Sequence, residues 1–455
     1  MTLKQEFVDA VREAAGAEAV ERFLAALDEP ASVSLRLNPA KAAAADMEVL
    51  RGATPVAWSS HGYLLPDRPV FTLRPEFHSG AYYVQDSSAM FAGELFRRTI
   101  DSLPVPLRPL RVLDLCAAPG GKTTDIAASL RERFGDNFIL VSNEVMQMRS
   151  RVLADNVARW GDPNVTVTCC DPAAFSQMEG FFDIILADVP CSGEGMFRKD
   201  DEAVAQWSPD NVALCSSRQR RIVADAWPAL RDGGVMIYST CTFNRSENGD
   251  NVGWICRELG ASAVDCGFRA EGVIFDGTGW LLVPGMVPGE GQYCAAVRKD
   301  GDAPVSQLKQ RKASKAVPLQ SVAQRFFTVP VSARMRGDLL VAVPSVIAME
   351  ADEVGSCAHV IASGCAVGQV KGRDLVPDED LALCIALDPQ AFPEVPVDVE
   401  TALKYLHRDT FTLDDAPAGF VLLTCGDIPL GFVKNLGRRC NNLHPQGRRI
   451  IMDIK

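Results

Sequence analysis

The stretch Val112 to Thr124, VLDLCAAPGGKTT, constrains this chain more than any other. The apolar run Arg111 to Leu115 predicts a buried strand. Ala117-Ala118-Pro119-Gly120-Gly121 predicts a tight turn, and Lys122, Thr123 and Thr124 open a helical pattern that continues to Leu130. A strand, a glycine turn and a helix N-terminus together form a ligand cradle. Glycines let the backbone approach a ligand, and first-turn amides point outward without intrahelical partners. In an open α/β sheet such a cradle lies at the carboxyl ends of the strands.

Two kinds of cradle compete. A phosphate loop reads G-x-x-x-x-G-K-[ST]. Gly121-Lys122-Thr123 matches its end, but Cys116 stands where the first glycine belongs, and no G-x-G-x-x-G is present. A P-loop nucleotidase, with Gly121-Lys122-Thr123 on phosphates and Asp188 on magnesium, is one alternative. The following strands favour a nucleoside instead. Phe138 to Ser142 predicts a strand followed by Asn143-Glu144, and an acidic residue at that place holds a ribose in nucleoside-binding sheets. Val165 to Cys170 predicts a third strand, running into Asp171-Pro172. Phe182 to Ala187 predicts a strand that ends in Asp188-Val189-Pro190-Cys191, and Val235 to Tyr238 one that ends in Ser239-Thr240-Cys241. An intracellular cysteine is usually a small buried hydrophobe. Two cysteines just past strands, on the ligand side of one sheet, point to chemistry.

LDLCAAPGGKT, ADVPCSGEG and YSTCTFNRSEN resemble the motifs of the Nop2/Sun (RsmB/RsmF) family of RNA cytosine-5 methyltransferases. PCSGEGMFRKD and the C-terminal extension are most similar to its bacterial RsmF branch. The motif match runs from about Arg74 to Arg298. The resemblance implies an α/β fold: a Rossmann-like class I methyltransferase sheet, a small N-terminal α+β module, and C-terminal α+β and PUA-like β-rich modules. The boundaries read as an N-terminal RNA-binding module at 1–75, a methyltransferase domain at 76–300, a basic linker at 301–337, an RsmF-type module at 338–392 and a PUA-like domain at 393–455.

The implied methyl donor is S-adenosylmethionine. Cys116, Ala117, Ala118, Pro119, Gly120, Gly121 and Lys122 would cradle its methionine and ribose parts, with Glu144 on the ribose hydroxyls, Asp171 near the adenine, and Asp188 beside it. Carbon 5 of cytosine is a poor nucleophile until a thiolate adds to carbon 6, and cysteine suits that addition. The residues alone leave open which cysteine attacks. The resemblance implies Cys241 as nucleophile and Cys191 in product release. Asp188 would orient the base or, if protonated, donate to ring nitrogen 3, with Lys122 beside it.

The net charge of −12 argues against nucleic acid only on average, since phosphate binding needs cations only on the touching surface. Arg36 in VSLRLNP, then Lys309, Arg311 and Lys312, and finally Arg438, Arg439, Arg448 and Arg449 are the candidate RNA contacts. A chain ending near Asp302 is accordingly expected to keep its cofactor affinity and lose RNA affinity. Small-subunit (16S) ribosomal RNA is the expected substrate, with transfer RNA the alternative, and an inactive RNA-binding assembly factor a further one. The N-terminus lacks a signal-peptide layout, and no apolar stretch is long enough to span a membrane. Fourteen cysteines fit a reducing compartment. The expectation is a cytoplasmic monomer with no membrane partner. Five scattered histidines and no C-x-x-C spacing give no reason to expect a metal.

Overall fold

A computed structural model of the chain describes residues 3–43, 47–104, 106–303, 308, 319–372, 374–413 and 415–454. The strand Leu110–Asp114 (β1) is buried at all five positions, as a run without polar alternation requires of a strand covered on both faces. It belongs to a ten-stranded sheet with Phe138–Asn143 (β2), Val165–Thr168 (β3), Phe182–Asp188 (β4), Leu230–Thr240 (β5), Ala261–Val264 (β6), Val273–Phe275 (β7), Trp280–Leu282 (β8), Gln292–Lys299 (β9) and Val360–Ser363 (β10). The path across the sheet is β7-β8-β9-β5-β4-β1-β2-β3-β10, with β6 pairing on β9. β3, β2, β1, β4 and β5 run parallel, and β9 is antiparallel to β5. The chain builds to one side of β1 through β2 and β3, then returns to the other side through β4 and β5. The carboxyl end of β1 is therefore a topological switch point, where open α/β sheets form their ligand crevice.

β5 begins earlier than Val235, the residue that the sequence pattern suggests. Asp232-Gly233-Gly234 lies inside the strand rather than forming a turn before it. Gly233 has φ 68°, and the register with β4 shifts between Phe182 and Ile184. A glycine in the left-handed region absorbs the irregularity without breaking the strand.

The helices Gln5–Ala15 and Ala17–Ala26 share a core with β1 and β4. The ring of Phe7 lies 4.9 Å from that of Phe197 and 5.4 Å from that of Trp207, and the Phe23 ring 5.5 Å from that of Phe243. A four-stranded antiparallel sheet follows, in the order Thr54–Pro55, Gly62–Leu65, Val33–Leu37, Tyr82–Val84.

The C-terminal third differs from the expected layout in two ways. Part of the segment read as a linker is folded: helix Gln320–Gln324 precedes strand Val331–Arg336, which pairs with Leu339–Pro344. Arg334 is ion-paired to Asp352 at 2.8 Å, and Arg336 donates to the carbonyls of Val360 and Ile361. Further, the module at 338–392 does not stand apart, because its strand β10 extends the ten-stranded sheet, antiparallel to β3. Its residues Val343, Ile347, Ala351, Val354 and Ala358 join the same core as β1 and β4. The last sheet, Glu394–Pro396, Gly419–Cys425, Ile428–Asn435 and Cys440–Asn442, packs with helix Val399–His407. Among the described residues, no helix is long and apolar enough to cross a membrane.

Candidate active site

β1 ends at Asp114, and the helix Gly121–Phe134 starts seven residues later. Gly120 makes the entry possible. Its φ is 114°, strained for any side chain, and an added Cβ would lie 3.2 Å from Leu153 Cδ1. No side chain caps the helix among the described residues, so its first-turn amides remain available to a ligand. Asn143 Nδ2 donates to the carbonyls of Leu115 and Cys170, Arg149 to that of Ala118, and Asn156 to that of Pro119. The loop Cys116 to Gly120 is therefore held through its carbonyls. Asp114 Oδ2 accepts from Thr123 Oγ1 at 2.7 Å, whereas Oδ1 is buried without a partner among the described residues. Burial pushes the Asp114 carboxyl up to about 7, against the hydrogen bond from Thr123. Burial, then neighbouring acids, also pushes the Cys116 thiol up, which disfavours its thiolate.

Glu144 follows β2 and is 3% exposed. Its Oε1 accepts from the Met146 amide at 2.9 Å, and its Oε2 lies 3.2 Å from Arg149. Asp171 follows β3 with its side chain 52% exposed and accepts from the Ala173 amide. Val145 and Met146, which sequence reasoning misses, are both more than half exposed. Large apolar side chains left open next to a buried carboxylate are the visible signal that would pick them out.

Asp188 ends β4. Its Oδ2 accepts from Lys122 Nζ at 2.8 Å, and its Oδ1 from Ser239 Oγ at 2.8 Å and Gln292 Nε2 at 3.3 Å. Burial pulls the Lys122 pKa down, but the Asp188 contact outweighs it and the net shift is upward, so Lys122 remains an ammonium. Sequence reasoning misses Ser239 and Gln292 as well. Ser239 is legible as the residue opposite Asp188 on a parallel neighbour, but nothing in the chain marks Gln292. Cys191 and Cys241 follow β4 and β5, and their Sγ atoms lie 2.9 Å apart. The Cys191 thiol is held well above the usual range by its contact with Cys241, then by burial. The structure thus brings together Lys122, Asp188, Cys191 and Cys241 at the carboxyl edge of neighbouring strands, with Cys116 to Gly121 and Glu144 on the β1–β2 side.

The expected RNA contacts fare differently. Arg36 is 1% exposed. Its Nε donates to Gln85 Oε1 at 3.0 Å, its Nη2 to Thr124 Oγ1 at 2.6 Å and to the Gly121 carbonyl at 3.1 Å, and its guanidinium lies 4.8 Å from the Trp160 ring centroid. It cannot touch RNA, because its guanidinium is enclosed by Gln85, the Trp160 ring and the first turn of the cradle helix. Arg448 is also consumed: it lies 2.9 Å from Asp155, 3.0 Å from Glu379 and 2.9 Å from Asp380. Arg438, Arg439 and Arg449 are exposed. Lys309, Arg311 and Lys312 lie outside the described residues.

Comparison with known proteins gives three matches along the chain. Residues 106–269 match the family described as 16S rRNA methyltransferase RsmB/F. Residues 3–87 match the N-terminal domain of 16S rRNA methyltransferase RsmF, and residues 392–450 the methyltransferase RsmF PUA domain. A protein of Salmonella paratyphi A called ribosomal RNA small subunit methyltransferase F is 30% identical over 472 residues, covering 96% of this chain and 93% of its own. One of the same name from Escherichia coli O157:H7 is 31% identical over 471 residues, covering 95% and 93%. Among solved structures, a methyltransferase homologue from Pyrococcus horikoshii superposes with TM-score 0.54 at 24% identity, over 65% of this chain and 95% of its own. NSun6 from the same organism, solved with SFG, gives TM-score 0.52 at 18% identity, over 66% and 99%. These two structures share the fold.

Proposed function

The chain belongs to the ribosomal RNA small subunit methyltransferase F family, and from that premise we propose that it methylates carbon 5 of a cytidine in small-subunit ribosomal RNA through a cysteine–cytosine adduct. The observation that carries the reading is the pair of strand-end thiols in contact, beside an ammonium–carboxylate pair at the switch point. The P-loop alternative leaves both thiols without a role and commits its lysine to Asp188 rather than to a phosphate.

The cradle fits S-adenosylmethionine. The uncapped helix amides suit a carboxylate, and the buried Glu144 a ribose diol. The open Val145 and Met146 suit the face of an adenine. When bound, S-adenosylmethionine supplies an electrophilic methyl group.

The protein's own residues supply the rest. Cys241 gives up its proton to a base and adds as thiolate to carbon 6, and the ring's electron pair moves to carbon 5, which takes the methyl group as its bond to the donor sulfur breaks. A base then removes the carbon 5 proton, the 5,6 double bond re-forms, and Cys241 leaves as thiolate. Asp188, ringed by Lys122, Ser239 and Gln292, acts as an acceptor suited to the exocyclic amine of cytosine. Its surroundings favour orienting the base over donating a proton to it. Lys122 offsets the negative charge that builds on the ring. The contact with Cys241 is the largest influence holding the proton on Cys191. Cys191, whose Sγ lies 2.9 Å from that of Cys241, is placed beside the adduct at the stage where product is released.

The test is to map 5-methylcytidine in small-subunit RNA from a strain lacking the gene. One modified cytidine or more should disappear, and return when the parent chain is supplied. RNA with an unchanged 5-methylcytidine pattern would exclude the reading.

Glu144→Ala should weaken S-adenosylmethionine binding by roughly 1.5–3 kcal/mol, the worth of hydrogen bonds to a charged group. Calorimetric titration measures it, and an unchanged dissociation constant moves the cofactor away from β2.

The exposed Arg438, Arg439 and Arg449 are candidates for binding phosphate. Reversing all three to glutamate should lower RNA affinity and flatten its salt dependence, by roughly one unit of slope for each phosphate no longer neutralised. Arg448→Glu is a contrasting control. It should destabilise the fold, because it places another carboxylate among Glu379, Asp380 and Asp155. Equal affinity and salt slope in the triple variant would leave those arginines as a solvated face.

A further inference from the structure

The two cysteine loops are tied together by their own acidic residues. Glu194 stands three residues after Cys191 and is 1% exposed. Its Oε2 accepts from the backbone amides of Phe243, at 2.6 Å, and Asn244, at 3.1 Å, the second and third residues after Cys241. Its Oε1 accepts from Asn244 Nδ2 at 2.9 Å and Trp207 Nε1 at 2.8 Å. Glu247, on the Cys241 loop and fully buried, reaches the other way. Its Oε2 accepts from the amide of Ser192, directly after Cys191, at 3.0 Å and from Gln219 Nε2 at 2.6 Å. Its Oε1 accepts from Asn244 Nδ2 at 2.8 Å. Each loop therefore carries the carboxylate that fixes the backbone beside the other loop's cysteine, and Asn244 bridges the two.

Further links hold the same two loops. The Gly195 amide donates to the Cys241 carbonyl at 2.8 Å, and the hydroxyls of Ser192 and Thr242 lie 3.2 Å apart. Gly195 is itself constrained, since a Cβ there would lie 2.9 Å from the Cys241 carbonyl oxygen. Every group hydrogen-bonded to the two carboxylates in this network is a donor. A carboxylate offers about four acceptor sites, whereas a glutamine puts a donating amine on one side.

We propose that Glu194 and Glu247 are reciprocal positioning residues: Glu194 sets Cys241 for attack, and Glu247 sets Cys191 for release. The proposal rests on the reading that Cys241 attacks and Cys191 releases. Its physical basis is the tolerance of the reaction. A reacting atom displaced by about 1 Å can cost on the order of 100-fold in rate, and neither cysteine lies within a strand that could fix it alone.

The experiment uses the full-length protein and small ribosomal subunits from a strain lacking the gene. Three quantities are read: first-turnover methyl transfer, protein–RNA adduct surviving a denaturing gel, and the rate at which iodoacetamide labels each thiol in the free protein. Glu194→Gln should lower first turnover by about 100-fold, leave no adduct, and change labelling at Cys241 rather than Cys191. Glu247→Gln should leave first turnover near the parent's, slow later turnovers, accumulate adduct, and change labelling at Cys191. General loosening of the fold would not split the two variants in this way. Parallel losses in both, or no change in either, overturn the proposal. Should the glutamine variants not fold, Glu194→Asp and Glu247→Asp keep the charge on a shorter arm, and the same split is required of them. A Cys191→Ala protein that leaves no adduct, or a Cys241→Ala protein that still methylates, overturns the underlying reading without either glutamate variant.

Discussion

Cys241→Ala should reduce methyl transfer to background while leaving S-adenosylmethionine affinity close to the parent's. The alanine removes the only atom proposed to bond to carbon 6, and without that bond carbon 5 has no enamine character with which to attack. The cofactor cradle is built from different segments, Cys116 to Gly121 and Glu144, so its affinity has no reason to follow. Cys191→Ala should have the opposite signature. Addition and methylation proceed, but the group proposed for release is missing, so protein should remain covalently on RNA. The two alanine variants together form a sharper test than either alone. One should be inactive and adduct-free, the other slow and adduct-bound. Methylation by Cys241→Ala at an appreciable fraction of the parent rate would sink the assignment.

A chain ending at Asp302 should fail to fold stably. This reverses the expectation from sequence, which treats the extension as a separable RNA-binding unit. Truncation removes β10 and leaves β3 as an open edge. It also removes Val343, Ile347 and Val354, all at most 1% exposed and part of the core that includes β1 and β4. Burial of such side chains is worth about 1.5–3 kcal/mol each. Three of them amount to a large share of the roughly 5–15 kcal/mol by which a domain is stable. The expected result is aggregation or a markedly lower melting temperature, with cofactor affinity falling as a consequence. A soluble truncated protein with a cooperative melt and the parent's cofactor affinity would show that β10 is peripheral.

The features legible in the sequence are those specified by short segments. The cradle, the acids that end β2 and β4, and the two strand-end cysteines each lie within a dozen residues of the strand that positions them, so hydrophobic runs and turn residues are enough to place them. The failures have a common cause in long-range packing. Arg36 alternates with apolar residues as an exposed arginine does, but its guanidinium is enclosed by Gln85 and Thr124, 49 and 88 residues away. Arg448 and Arg449 are neighbours of the same type. One is spent on three carboxylates from two other parts of the chain and the other faces solvent. No local pattern distinguishes them. Glu194 and Glu247 stand inside recognisable motifs, yet their partners emerge only when β4 and β5 lie side by side.

The pairing of β10 with β3 also sets a timetable. During synthesis, β3 is complete long before its partner exists. The residues from Thr168 to Val360 must be made in between, which at about 5–20 residues per second takes on the order of 10–40 s. For that interval the nascent methyltransferase sheet presents a bare strand edge, the surface most open to pairing with a neighbouring chain. The exposed edge carries Thr166 and Thr168 among its four residues, and Thr166 later meets Ser363 hydroxyl to hydroxyl at 2.9 Å. The last third of this protein therefore seals, late in synthesis, a sheet begun in the first half of the chain.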